Sequence, residues 1–169
     1  GAPGGLDNGN GVATLLGGAG LLADESLRHT VEIVPFNGED DYANPGELLW
    51  IEENEGRFGD IVLGINVDDS SQRGTLNHVS FYDCPADIEA IVRQAMQRYP
   101  HIEAGPQWYQ GDHMILGMYG RPAIAIASSA MAEFMAAYAH SERDVLELAD
   151  PALMAETARF IAEVVRELG

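Results

Sequence analysis

The 169 residues carry 27 acids against nine bases, every one of them Arg, for a formal net charge of −18. A chain so acidic is repelled by nucleic acid and by anionic membrane surfaces, and neither is expected as a partner. With 46% apolar and 21% charged residues it has a globular composition, and its length suits one domain over residues 1–169 with a core of its own.

Gly1–Gly11 reads as loop, with Asp7-Asn8-Gly9 as a turn former. Small and apolar residues from Val12 to Leu22 predict a buried helix. Asn8 or Asn10 is its expected cap, and Asp7 sits just before its positive end. His29–Phe36 reads as the first strand, and Gly38 and three carboxylates, Glu39, Asp40 and Asp41, follow it. Tyr42–Pro45 predicts a loop and Gly46–Glu55 a short helix. Asp60–Val67 reads as a second buried strand running into Asp68-Asp69-Ser70-Ser71, and Thr75–Tyr82 as a strand with a partly exposed face. Pro85 opens a helix in which Ile88, Ile91, Val92, Ala95 and Met96 fall at helical spacing until Pro100.

A short strand at His101–Ala104 and an aromatic loop at Gln107–Gly111 come next. Asp112 is expected to cap a helix reaching about Tyr119. Pro122–Ala127 is another apolar strand, and Ser128 or Ser129 is the expected cap of a helix over Met131–Ala139. Pro151–Leu168 is the longest predicted helix, with Leu153, Ala158, Ile161, Val164 and Val165 inward. Strands alternating with helices predict a three-layer α/β/α sandwich on a mostly parallel mixed sheet. The single cysteine, Cys84, excludes an internal disulfide and a thiolate-rich metal site. No run of eighteen apolar residues or basic-plus-apolar leader is found, so no membrane span or signal peptide is expected within these residues.

Four places set a ligand-type side chain at the end of a predicted segment: Asp7, Glu39-Asp40, Asp68 and His140. Carboxylate oxygen and imidazole nitrogen are what zinc takes where thiolates are absent. Singly, each has an everyday alternative: a helix cap for Asp7, a solvated turn for Glu39-Asp40, a strand-end turn for Asp68, a helix-end partner for His140. Together they are enough for a two-metal site with a spare carboxylate as base. Asp112 and His113 are candidates to support the ligands or meet substrate, although a capped helix start accounts for the pair equally. Trp108, Tyr109 and Met114 read as core packing or as the lining of a side-chain pocket. His29, His78 and His101 read as surface or strand-edge residues.

The order of these motifs resembles the co-catalytic di-zinc aminopeptidases, the family that also holds glutaminyl cyclases and glutamate carboxypeptidases. Pro3 to Ala13, with Asp7-Asn8 at its centre, resembles the loop whose Asp bridges both metals. Phe36-Asn37-Gly38-Glu39-Asp40 resembles the paired-acid motif, in which the first acid is the general base and the second a metal ligand. Ile65-Asn66-Val67-Asp68 resembles the strand-end Asn-x-Asp that binds the other metal. Gly111-Asp112-His113 resembles a Ser-Asp-His segment near the active site. His140-Ser141-Glu142-Arg143-Asp144 resembles the closing segment whose His is the last ligand.

The resemblance implies zinc as cofactor, a peptide or aminoacyl substrate, Asp7, Asp40, Asp68 and His140 as metal ligands, and Glu39 as general base. It also marks departures. The family's first ligand, a His in a His-x-Asp segment, is expected upstream of Gly1. This chain then corresponds to the C-terminal two-thirds of the catalytic domain, without its N-terminal strands. Asp7, Asp40 and His140 complete one metal site, and Asp7 and Asp68 remain for the second. Asp40 stands where Glu is commoner, and Ala139 where some relatives carry a Tyr. Beside the exopeptidase, two alternatives stay open: a single-zinc enzyme of the glutaminyl-cyclase type and a non-catalytic interaction domain.

Overall fold

Strand β4 (Ala123–Ser128) is buried over its whole length, and the sheet is built around it. In the computed structural model, which describes residues 1–40 and 43–169, β4 runs parallel to β1 (Gly64–Val67) and antiparallel to β2 (Asn77–Tyr82). β3 (Ile102–Ala104) pairs parallel with β2, giving the order β1-β4-β2-β3. Successive strand side chains point to opposite faces, which sorts them into two cores. Ile124, Ile126, Val67 and Val79 meet Val92 of α3 (Ala86–Met96) and Phe160 and Val164 of α6 (Pro151–Glu167). Ala123, Ala125 and Tyr82 turn the other way. They meet Ile115 and Leu116 of α4 (His113–Met118), Phe58, and Trp50 of α2 (Pro45–Glu53). Helices on both faces make this the expected three-layer sandwich.

The longest helix starts where its sequence says it should. Asp150 accepts from the backbone N–H of Ala152 at 2.9 Å and of Leu153 at 3.5 Å, and Pro151 takes the first turn. Helix α1 (Asn10–Leu22) packs along α6 and buries Thr14, Gly18 and Leu22. The caps expected from the sequence fare unevenly. Gly9, not Asn8 or Asn10, holds the cap position of α1, without a side-chain bond. Asp112 holds that of α4 but makes no capping bond either. Ala130 precedes α5 (Met131–Ala137), its N–H donating to Ser128 Oγ at 3.0 Å.

The larger correction concerns His29–Phe36. Among the described residues it joins no ladder, and the first strand is β1. Val31, Glu32 and Pro35 are exposed, and a Pro within the run removes a donor. Side chains hold the segment instead: Phe36 meets Trp50 edge-on at 5.7 Å, Trp50 Nε1 donates to Glu32 Oε1 at 3.3 Å, and His29 Nε2 lies 3.2 Å from the Leu168 carbonyl. Glu39 and Asp40 therefore leave an extended segment, not a sheet strand. Asp41 and Tyr42 lie outside the described residues. Among the described residues, no helix is long and apolar enough to cross a membrane.

Candidate metal centre

The site grows from the carboxyl end of β1. Val67 is buried there, and the Asp68 N–H donates to the Ile126 carbonyl at 3.0 Å, which extends the pairing with β4 and fixes Asp68 at the sheet's rim. The loop before α1 is tied to the same place. Asn8 Nδ2 donates to the Val67 carbonyl at 2.8 Å, and Asn10 Nδ2 donates to the carbonyl of Ser70. The two residues expected as caps thus bind the Asp7 loop to the end of β1. The approach is close enough to demand glycine: a Cβ on Gly11 would lie 2.5 Å from the Val67 carbonyl oxygen.

A second tie crosses most of the chain. Asp144 is fully buried, and its carboxylate accepts from the N–H of Leu6 at 2.7 Å and of Asp7 at 3.2 Å. Its own carbonyl accepts from Gly5 N–H at 3.2 Å, and its N–H donates to Ser141 at 3.2 Å. Beneath this junction Leu6, Phe134 and Ala149 form a small buried cluster. A Cβ on Gly5 would lie 2.6 Å from Leu146 N, so the two loops touch backbone to backbone.

That junction sets His140, in a left-handed conformation at φ 55, against the two acids. Its Nε2 lies 3.1 Å from Asp7 Oδ2 and 3.0 Å from Asp40 Oδ1. The three side chains, with Ala2 and Gly4, line an open cleft of about 440 Å³. Asp7 also belongs to a second group: one carboxylate oxygen each from Asp7, Asp68 and Asp69 lie within 4.8 Å of one another. Asp7, Asp40, Asp68 and His140 are therefore gathered at one rim, with Asp7 common to both groups.

The electrostatics are those of uncompensated negative charge. Asp7 is held above the ordinary carboxylate range by burial and by the charge of Asp40, against the pull of His140. Glu39, half-buried, is raised by burial and then by Asp40, Glu47 and Asp7. Asp68 and Asp69 are both pushed up, by burial first and then by neighbouring carboxylates. Among the described residues no Arg forms an ion pair with these acids; the Arg ion pairs are Arg93 with Glu89, Arg98 with Glu163 and Glu167, and Arg166 with Glu25. The donor set of imidazole nitrogen and carboxylate oxygens fits a divalent cation, and the Oδ1 of buried Asp69 has no hydrogen-bond partner among the described residues.

Asp112 and His113 form a layer behind the rim. The Asp112 carboxyl, pushed up to about 8 by burial and by its hydrogen bond to Glu47, feels the charges of Glu39 and Asp68. His113 is buried, and its Nε2 faces the Trp108 carbonyl at 3.0 Å while Nδ1 faces Asn66 Nδ2 at 3.3 Å. The carbonyl can only accept, so Nε2 carries the proton and Nδ1 accepts from the amide. Burial lowers its pKa. Both nitrogens are thus engaged by protein, and Asn66 stands two residues before Asp68. Tyr109 and Met114 line a smaller cavity of about 250 Å³, while Trp108 packs into the core beside α4.

Two residues here carried no role in the sequence reading. Asp144 appeared only within the closing segment, and Asp69 only as the residue after Asp68. The remaining histidines are paired away from the rim: His78 with Glu103 and His101 with Glu156. Cys84 is half-buried near the end of β2, its thiol facing the Ala123 carbonyl.

The family model described as peptidase family M28 matches residues 1–165. Similar solved structures include a zinc aminopeptidase from Bacillus subtilis, with TM-score 0.81 and 15% identity, covering 99% of this chain and 43% of that one. A peptidase M28 precursor from Shewanella amazonensis has TM-score 0.79 and 18% identity, covering 98% and 37%. An aminopeptidase from an Aneurinibacillus species has TM-score 0.77 and 16% identity, covering 97% and 39%. This chain therefore spans about two fifths of the length of these structures. No curated protein sequence matches it.

Proposed function

We propose that this chain, which belongs to peptidase family M28, supplies the metal-binding rim and the general base of a zinc-dependent exopeptidase of the aminopeptidase type. The observation that carries the reading is the convergence of His140 Nε2 with Asp7 Oδ2 at 3.1 Å and Asp40 Oδ1 at 3.0 Å. One nitrogen faces two carboxylate oxygens, between which a single N–H could only be shared. A divalent ion takes all three as ligands. Asp7, Asp40 and His140 would hold one ion, and Asp7 with Asp68 the other. Bound there, the ions would lower the pKa of a water toward neutrality and polarise the scissile carbonyl.

The remaining work falls to side chains of this chain. Glu39 takes the proton from the attacking water and returns it to the leaving amine. Burial supports that role by raising its pKa, which opposes the lowering expected beside dications. The surplus of carboxylates at the rim attracts the free ammonium of a peptide or aminoacyl substrate, which favours cleavage at the N-terminal bond. His113 and Asn66 stiffen the strand end that presents Asp68.

Glu39→Gln tests the assignment in the intact protein, with an amino-acid p-nitroanilide as substrate and zinc content measured in parallel. The expected result is loss of most turnover with zinc retained. Equal loss of both would remove Glu39 from the role of base.

A further inference from the structure

We propose that Asp69 is a third carboxylate ligand for the divalent ion held by Asp7 and Asp68. The inference rests on the metal-centre reading above and extends it to a residue that reading does not use.

Asp69 is only 6% exposed, and its Oδ1 is sealed from solvent without a hydrogen-bond partner among the described residues. A buried carboxylate is tolerated when it is paired, protonated or coordinating a metal. Among the described residues no Arg or His forms an ion pair with it, and its other charged neighbours are the acids Asp68, Asp7, Asp144 and Asp40. At the same time its carboxylate lies within 4.8 Å of those of Asp7 and Asp68. The backbone explains how consecutive residues reach one point. In a strand they would face opposite sides, but Asp69 has φ 49, a left-handed conformation that turns the chain. Its carbonyl accepts from Ser128 N–H at 2.9 Å, so that turn is pinned to the end of β4. Among the described residues this position gathers three carboxylates, whereas the neighbouring one has two carboxylates and His140.

The test is a calorimetric zinc titration of the chelator-stripped full chain, comparing wild type with Asp69→Asn, Asp68→Asn and His140→Ala. Two ions are expected for wild type. Asp69→Asn is expected to weaken one binding event roughly tenfold or more, as Asp68→Asn does, and to spare the event that His140→Ala removes. A second event unchanged by Asp69→Asn, or a single event that depends on His140 alone, overturns the role of Asp69 and leaves the metal centre standing. A wild-type chain that binds no ion overturns both. Should the variants fail to fold, wild-type crystals soaked in zinc decide: an Asp69 oxygen within about 2.0–2.2 Å of the ion on Asp68 supports the assignment. Asp69 turned away from that ion ends it.

Discussion

Two groups of acids share Asp7, and they differ in nearly everything else. In the first, the side chains of His140 and Asp40 are 55% and 56% exposed, and they come from loops far apart in the chain. In the second, Asp69 is buried, Asp68 sits at the end of β1, and the two are neighbours in sequence. Water screens the open group, and an imidazole nitrogen faces both of its acids. In the closed group burial and mutual repulsion push Asp68 and Asp69 up together. The contrast is that, among the described residues, one rim carries two groupings: an open one of imidazole nitrogen and carboxylate oxygen, and a closed one of three carboxylates.

The sharpest way to break the comparison is to remove what the two groups share. Asp7→Asn should weaken both zinc-binding events by about a hundredfold or more, since it deletes a charge from each; isothermal titration measures it. His140→Ala should act on the open group alone, lowering one affinity roughly ten- to a hundredfold and leaving the other. Loss of both events from His140→Ala would mean the groups are not separable.

Asp144→Asn touches neither ligand set directly. It replaces one acceptor of the paired N–H groups of Leu6 and Asp7, at a cost of about 1–3 kcal/mol for a buried donor left unpaired. Denaturant unfolding should show that loss, and both zinc affinities should fall together because Asp7 serves both groups.

The smallest effect is a pH dependence that the closed group should dominate. Asp68 and Asp69 have folded-state pKa values above the ordinary carboxylate value. The folded chain therefore binds more protons than the unfolded one as pH rises through that range, and stability must fall with rising pH. The metal-free melting temperature should decline from about pH 4 upward past neutrality, and saturating zinc should flatten the decline.

Much of the fold was legible in the sequence, because helix α6 announces itself through helical spacing from Pro151 onward, and β4 through an unbroken apolar run. The segment His29–Phe36 shows where such reading stops. Its composition is that of a strand, but a ladder needs a partner, and partnership is not a local property. The site divides in the same way. Asp7, Glu39, Asp40, Asp68 and His140 stood out as ligand types after predicted segments, and the resemblance ordered them. Asp144 was silent because its partners are N–H groups 137 and 138 residues away, which no side-chain pattern records. Asp69 was silent because strand alternation points it away from Asp68, and only its left-handed φ brings it back.

The central claim is that the rim around Asp7 is built to hold a cation. Metal analysis after exhaustive dialysis of the zinc-loaded chain tests it most directly, with Asp7→Asn carried alongside. The account predicts zinc retained by wild type and lost from Asp7→Asn. Wild-type protein holding no more zinc than the variant would contradict it.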